Sequence, residues 1–386
     1  MSVEIQVHER LTPDLIELWQ SLVPRRRWSF FSRPEWCQAI WRNFGPTRAI
    51  RVLVAREDGV PVGLLPVWIR RMNQYGAFLP VAEIFGSRRG DYGGPIIREG
   101  PPRPDVFSLL WEAALDLEAN PGTVVWPNLP LESGYVDALD SVLAERGLTW
   151  VRQKRECRVI PLAESLEETM ADWSRSLRKN MRRYDRKLGR EHGEVRLRVF
   201  ETAEEATTWL PRFFEMHDRR WEAAGSPGTF GQRARRSFTI ELAEETAKDS
   251  LFFCALMVDE QPAAYWLGFV SGGYLLGYKT TFDLNFYSYS PGKILIKYLA
   301  DEGVRRGWKG IDLMQGEYDY KSGFTSNAVA TYTYMVRTKS IAPAYWWLTR
   351  GRPFAERYLG GLAHEARSVW HRVRQWTTPR NLDQVD

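Results

Sequence analysis

The stretch RVLVAREDGVPVGLLPVWI, residues 51–69, has a counterpart about 200 residues further on, LFFCALMVDEQPAAYWLGF, residues 251–269. Each joins two apolar runs through a charged turn, Glu57-Asp58-Gly59 in one and Asp259-Glu260-Gln261 in the other. That is the pattern of a β-hairpin. Pro61 and Pro262 each open the second run, where a missing N–H is tolerated. Helical segments precede the two hairpins, at 34–43 and 233–248. Further helical segments, 107–119 and 294–306, lead into apolar strands at 123–126 and 310–314. Helix, hairpin, helix, strand therefore occurs twice, which constrains the chain to an α/β protein of two similar halves. The expected layout is a first half over 1–160, a basic linking helix over 161–194, a second half over 195–340 and a helical tail over 341–386, each half with its own mixed sheet.

Composition agrees with a folded chain of this size. The 386 residues suit two domains, and the 44% hydrophobic and 26% charged fractions argue against global disorder. A net charge of +5 is too small, at this length, to mark a nucleic-acid binder. Cys37, Cys157 and Cys254 are far apart and show no metal-ligand spacing, so no metal is expected, and their odd number suits reduced thiols in a cytoplasm. The first ten residues carry spread charges and no apolar run, so no signal peptide is expected. No stretch reaches the roughly 18 apolar residues that span a membrane.

Residues 166–190 read as one amphipathic helix. Trp173, Leu177, Met181, Tyr184 and Leu188 fall on one stripe. Arg175, Arg178, Lys179, Arg182, Arg183, Arg186, Lys187 and Arg190 fall opposite, with only Asp172 and Asp185 to offset them. Such a face is either a solvated surface or an anion site. The Trp- and Arg-rich tail, 342–378, reads as a helix packed on the body, with interfacial membrane contact as the alternative.

Residues 272–324 concentrate the chemistry. A strand over 274–281 and a polar loop lead to Ser290-Pro291-Gly292-Lys293, where Ser caps and Pro opens a helix. A helix N-terminus attracts phosphate, Gly292 permits close approach, and Lys293 adds charge. The strand at 310–314 carries Asp312 and runs into QGEYDYKSGF, which brings Glu317, Tyr318, Tyr320, Lys321 and Phe324 to the end of an apolar strand. Ligand crevices tend to form there in α/β sheets.

Ser290-Pro291-Gly292 before a helix, followed by Asp312, Gly316 and Tyr320-Lys321, resembles the GNAT domain of the CelD/BcsL-like, exopolysaccharide-associated acetyltransferases. The segment from Trp173 through Arg183 is similar to the one that precedes that domain. The double layout, the aromatic-Lys-x-x-Phe pattern at Tyr320-Lys321-Phe324 and the turn Tyr92-Gly93-Gly94-Pro95 are also similar to FemAB-type peptidyltransferases. The resemblance implies two GNAT-like halves and acyl transfer from acyl-CoA, acetyl-CoA among the donors, to an amine or hydroxyl of an envelope or exopolysaccharide acceptor. The familiar Q/R-x-x-G-x-G/A loop is not present, which leaves other acyl donors open. Under this reading Ser290, Gly292, Lys293, Arg178 and Arg182 hold donor phosphates. Glu317, ahead of Asp312 and Asp283, is the general base. Lys321 and the N–H groups near 278–280 face the oxyanion, and Tyr318 or Tyr320 protonates the leaving group.

Other chemistries fit less well. No G-x-S-x-G elbow is present, and His8, His192, His217, His364 and His371 lie outside this stretch. Cys254 sits in an apolar strand, as a buried structural thiol would. A FemAB-like transfer from aminoacyl-tRNA and a non-catalytic scaffold in polysaccharide assembly are the alternatives. The expected location is the cytoplasm, with peripheral contact to the inner membrane face through the tail.

Overall fold

The computed structural model describes residues 3–45, 49–74, 77–87, 89–100, 103–117, 123–316 and 319–337. The tail expected over 341–386, and the candidates Glu317 and Tyr318, lie outside the described residues. In chain order the elements are β1 (Val3–His8), α1 (Pro13–Leu22), α2 (Pro34–Phe44), β2 (Ala49–Glu57), β3 (Val60–Gln74), β4 (Ala77–Ile84), β5 (Ile96–Ile97), α3 (Pro104–Leu115), β6 (Thr123–Pro130), α4 (Tyr135–Glu145) and β7 (Thr149–Pro161). They continue with α5 (Leu166–Ala171), α6 (Arg175–His192), β8 (Val195–Val199), α7 (Ala203–Ala223), α8 (Arg233–Thr246), β9 (Leu251–Val258), β10 (Gln261–Ser271), β11 (Tyr274–Phe282), α9 (Pro291–Arg305), β12 (Gly310–Gln315), α10 (Asp319–Ser322) and β13 (Ala328–Arg337).

The repeated hairpins are β2–β3 and β9–β10. Their turns share a backbone detail that pairing alone does not require. Asp58 and Asp259 both sit in the left-handed region, at φ 48°, which Asp tolerates better than most residues. The repeat extends along the sheet. The strands run β1-β2-β3-β4-β6-β13-β7-β12-β11-β10-β9-β8, with β5 pairing β3 at the side. From either edge inward the pattern is three antiparallel pairings and then one parallel pairing, β4 with β6 and β11 with β12.

The expected pair of mixed sheets is instead one continuous mixed sheet. The reason lies at its centre. β7 pairs with β12 of the later half, while β13 pairs with β6 of the earlier one, and the whole of β13 pairs with Thr149–Arg158 of β7. Each half thus completes its sheet with the other half's last strand. Residues 1–338 accordingly form one compact unit.

The linking segment also departs from a single helix. Ser165 caps α5 through its side chain, and Ser174 does the same for α6 by accepting from the Leu177 N–H at 3.3 Å. Between them, Trp173 turns inward against Phe324, with ring centroids 4.8 Å apart. The predicted apolar stripe is otherwise as expected. Leu177, Met181 and Leu188 are buried among the side chains of β9, β10 and α9. Among the described residues, no helix is long and apolar enough to cross a membrane.

Candidate active site

Two parallel strands can hold a ligand between them only where they stop pairing. β11 and β12 pair at Tyr274–Gly310, Leu275–Ile311 and Leu276–Asp312 and then diverge. Two backbone irregularities sit at this point. Opposite β10, Tyr278 is an extra residue, since Leu267 faces Lys279 and Gly268 faces Gly277. Such a bulge re-aims the chain beside it. On β12, Met314 lies at φ 61°. The wedge leads to the N-terminus of α9, which follows β11 after one short 3-10 turn, Leu284–Tyr289.

Three predicted phosphate ligands, Ser290, Gly292 and Lys293, are at that N-terminus. Ser290 occupies the cap position but not in the expected manner. It is left-handed at φ 54°, and its side chain makes no capping bond. Its carbonyl instead accepts from Lys293 N at 2.9 Å and Ile294 N at 3.2 Å. A Cβ at Gly292 would meet nothing nearer than Phe282, at 3.7 Å. No acidic residue lies in the first turn of α9. The equivalent helix in the first half differs on this point. α3 carries Asp105 in its first turn, and Arg103 at its cap is bound to Asp105 and Glu57. The first half's wedge, beyond Glu83–Val125, is crossed by its own loop: Asn128 donates to the Gly90 carbonyl at 2.8 Å, and Gly93 N donates to the Asn128 carbonyl at 3.0 Å. An anion is therefore favoured at α9 and disfavoured at α3.

Asp312 is fully buried, at 0% exposure. Its Oδ2 accepts from Tyr92 Oη at 2.5 Å and Arg27 Nη1 at 3.2 Å, and its Oδ1 accepts from Met314 N at 2.8 Å. Arg27 also bonds Glu132 and lies over the rings of Tyr92 and Tyr274. This cluster joins the start of the chain to the second half's fifth strand. Burial raises the Asp312 pKa, and Arg27 opposes that rise.

Lys321 is 3% exposed and donates to the carbonyls of Met314 at 3.0 Å and Gln315 at 2.9 Å, fixing the end of β12. Burial lowers its pKa. Tyr320 beside it is 38% exposed, with its ring edge-on to Phe324 at 6.5 Å. On α6, Arg178 is half-buried and Arg182 exposed. The helix packs beside α9, held by Lys297 and Tyr298 of α9 on Asp185.

The residue that the sequence reading passed over is Asp91, one position before the Tyr92-Gly93-Gly94-Pro95 turn. Gln315 Nε2 donates to the Asp91 carbonyl at 2.9 Å and to Thr331 at 3.2 Å, so the first half's loop is pinned to the end of β12. Burial pushes the Asp91 carboxyl up to about 6, against the pull of Lys279 on β11. Asp312 raises it further, and Lys321 and Arg155 lower it. The carboxyl thus lies within electrostatic reach of both arms of the wedge. His217, on α7 above β11, is buried and pushed down to about 4, first by burial and then by Lys279. Its Nε2 accepts from Trp221 Nε1 at 3.1 Å, which fixes a neutral imidazole. The only local signal for Asp91 was an acidic residue next to a glycine turn, and the groups it meets on β11 and β12 lie more than 180 residues away. Cys254 is buried, and burial raises its thiol pKa well above the usual range. Among the described residues, no group of His, Cys, Asp and Glu could hold a metal ion.

Residues 175–322 match the family model of the acetyltransferase (GNAT) domain. No curated protein sequence matches the chain. Among solved structures, the chain is similar to FemX, with a TM-score of 0.59 at 9% identity, over 91% of this chain and 100% of that one. It is also similar to a conserved protein of unknown function from Bacteroides thetaiotaomicron VPI-5482 (0.53, 13% identity, 87% and 100% covered). A third likeness is to the C-terminal domain of a putative lysylphosphatidylglycerol synthetase from Agrobacterium fabrum (0.52, 12% identity, 89% and 96% covered). At these identities the likeness is one of fold. Residues 175–322, which contain β11, α9 and β12, are thus a GNAT acetyltransferase domain.

Proposed function

We propose that the chain transfers an acyl group from acyl-CoA to an amine or hydroxyl of an envelope- or exopolysaccharide-related acceptor, at the wedge between β11 and β12. The observation that carries this reading is the place of Asp91: Gln315 pins its main chain to the end of β12, and burial raises its carboxyl to about 6 against the opposing charge of Lys279. A base near neutrality is suited to taking the proton of an attacking nucleophile. In this reaction Asp91 accepts that proton as the nucleophile bonds to the thioester carbon. The C–S bond breaks, and the CoA thiolate takes up a proton, for which Tyr320 is the candidate among the described residues. Ser290, Gly292 and Lys293 receive the donor's phosphates at α9, in the positive field of Arg178 and Arg182. Asp312 and Lys321 act as positioning residues, since their polar atoms are engaged with Arg27, Tyr92 and main-chain groups. The buried, free thiols suit a cytoplasmic protein.

Native mass spectrometry of the purified chain for co-purified acyl-CoA, with calorimetric titration of CoA, is the test. Thiol release with amino-sugar and polyol acceptors then reads the transfer. One observation favours a second donor, aminoacyl-tRNA: Arg175, Arg178, Lys179, Arg182 and Arg183 make no ion pair with the described residues. Salt-sensitive tRNA binding without CoA binding would replace the first reading with the second.

A further inference from the structure

α6 turns one kind of surface to the interior and another to solvent. Leu177, Met181, Tyr184 and Leu188 are spaced i, i+4, i+7, i+11, as one row of a helix is, and Leu177, Met181 and Leu188 are buried. Lys179, Arg183, Arg186 and Arg190 have the same spacing on the opposite side, and all four are exposed. Along α6 eight Lys and Arg residues stand against Asp185 and Glu191. Both carboxylates are engaged. Asp185 holds Lys297 and Tyr298 of α9, and Glu191 holds Tyr289, Lys187 and Arg190. That leaves Lys179, Arg183 and Arg186 of the outer row with no ion pair to the described residues. A helix surface that serves only solubility interleaves the two signs, and this one does not.

An apolar edge adjoins the end of this row. In the 3-10 turn Leu284–Tyr289, residues three apart eclipse one another. Phe286 and Tyr289 form one edge, buried against the last turn of α6. The rings of Phe286 and His192 lie 5.4 Å apart, His192 Nε2 is 2.9 Å from Tyr289 Oη, and Lys187 Nζ is 5.0 Å from the Tyr289 ring centroid. Leu284 and Tyr287 form another edge and are 43% and 69% exposed, Tyr287 more than any other large apolar side chain among the described residues. Cations alone would suit nucleic acid as well as lipid. The exposed leucine beside an exposed tyrosine separates the two. A sugar–phosphate backbone offers a leucine no apolar depth, whereas a bilayer takes Lys and Arg at its headgroups and Tyr and Leu at the boundary of its acyl chains.

We propose that the outer row of α6, together with Leu284 and Tyr287, is a docking surface for an anionic lipid bilayer. Lys179, Arg183 and Arg186 meet the lipid phosphates, and Leu284 and Tyr287 enter the headgroup layer beside them. The surface adjoins the donor helix, because the 3-10 turn leads directly into Pro291 of α9. Docking needs neither acyl donor nor acceptor, so it stands apart from the transfer reaction.

The test is co-sedimentation of the full chain, tail included, with vesicles of equimolar phosphatidylglycerol and phosphatidylcholine, and separately with vesicles of phosphatidylcholine alone. The wild type should bind the anionic vesicles, release them at high salt and leave the neutral ones unbound. Lys179→Gln/Arg183→Gln/Arg186→Gln should bind the anionic vesicles on the order of 10²-fold more weakly, as expected for three cations lost from an anionic surface. Leu284→Ser/Tyr287→Ser keeps every charge and should still bind about tenfold or more weakly, through lost apolar burial. Arg183→Lys/Arg186→Lys should bind as the wild type does. Each variant is melted beside the wild type, and unchanged melting assigns a loss of binding to the surface and not to the fold. A wild type that binds no anionic vesicle overturns the proposal, as does one that binds bulk tRNA in preference to them. Full vesicle binding by the triple Gln variant overturns it, since the tail or another surface would then hold the lipid. Full binding by Leu284→Ser/Tyr287→Ser overturns it too, because the attraction would be one of charge alone.

Discussion

Asp91 and Lys321 show how much a residue's surroundings decide what it does. For Asp91 the expected result is a rate that falls as pH drops through about 6, where the carboxylate takes up its proton. Asp91→Asn should lower kcat/KM on the order of 10²-fold or more and remove that limb of the pH profile. Stability should move the other way. The folded pKa is above the unfolded value of 3.8, so between about pH 4 and 6 the native state binds more protons and loses stability as pH rises. Asp91→Asn should therefore melt higher than wild type at pH 7, and melting scans at pH 4 and pH 7 check the sign. A variant that melts lower at both pH values would mean that the carboxylate is structural. Lys321 is a different case. Its ammonium satisfies two carbonyls at the end of β12, so Lys321→Met leaves buried acceptors unpaired. That should cost about 1–3 kcal/mol of stability along with activity. Lys321→Arg should recover more of both than Lys321→Met if the ammonium works by holding those carbonyls.

At the scale of elements, α9 is where the donor prediction is sharpest. A Cβ is tolerated at Gly292, and a carboxylate in the first turn of a helix is favourable to the helix itself. Gly292→Asp should therefore fold normally, with a melting temperature at or above wild type, and yet lose most CoA affinity through repulsion of the phosphates. Calorimetry beside a thermal melt separates the two effects, and unchanged CoA binding would take the donor away from α9. This element also shows what could be read from the chain beforehand. Pro291 after Ser290, the hairpins with Asp58 and Asp259 at their turns, and the apolar stripe of α6 are local patterns, and each is present in the fold. The break at Asp172-Trp173-Ser174 was missed because Trp173 fits a helical stripe equally well as the last residue before a new cap. Asp91 was missed for a different reason. It meets Gln315 only because the first half's loop packs on the end of β12, and no periodicity within either half carries that information.

The whole molecule is organised by the exchange of its two inner strands. β13 must lie between β6 and β7 before the first half has a complete sheet, and β7 must lie between β13 and β12 before the second has one. Arg27, Tyr92 and Asp312 tie the same two halves together in the interior beside that seam. Neither half can then close its core alone, even though the internal repeat suggests two independent domains. Unfolding of residues 1–338 should be a single cooperative transition by both calorimetry and circular dichroism. A fragment ending after β7, at residue 162, should lack that transition and expose the buried, apolar strand β6. Mixing it with a fragment of residues 163–338 should restore part of the fold, because all the pairing information is present. Asp312→Ala should lower stability by about 3–5 kcal/mol, since it leaves Arg27 buried without its inner partner. That loss should appear as a shift of the whole transition, because the cluster belongs to both halves. Two separate transitions in the wild type, or an Asp312→Ala variant that melts only one of them, would show that the halves fold independently and that the exchanged strands dock afterwards.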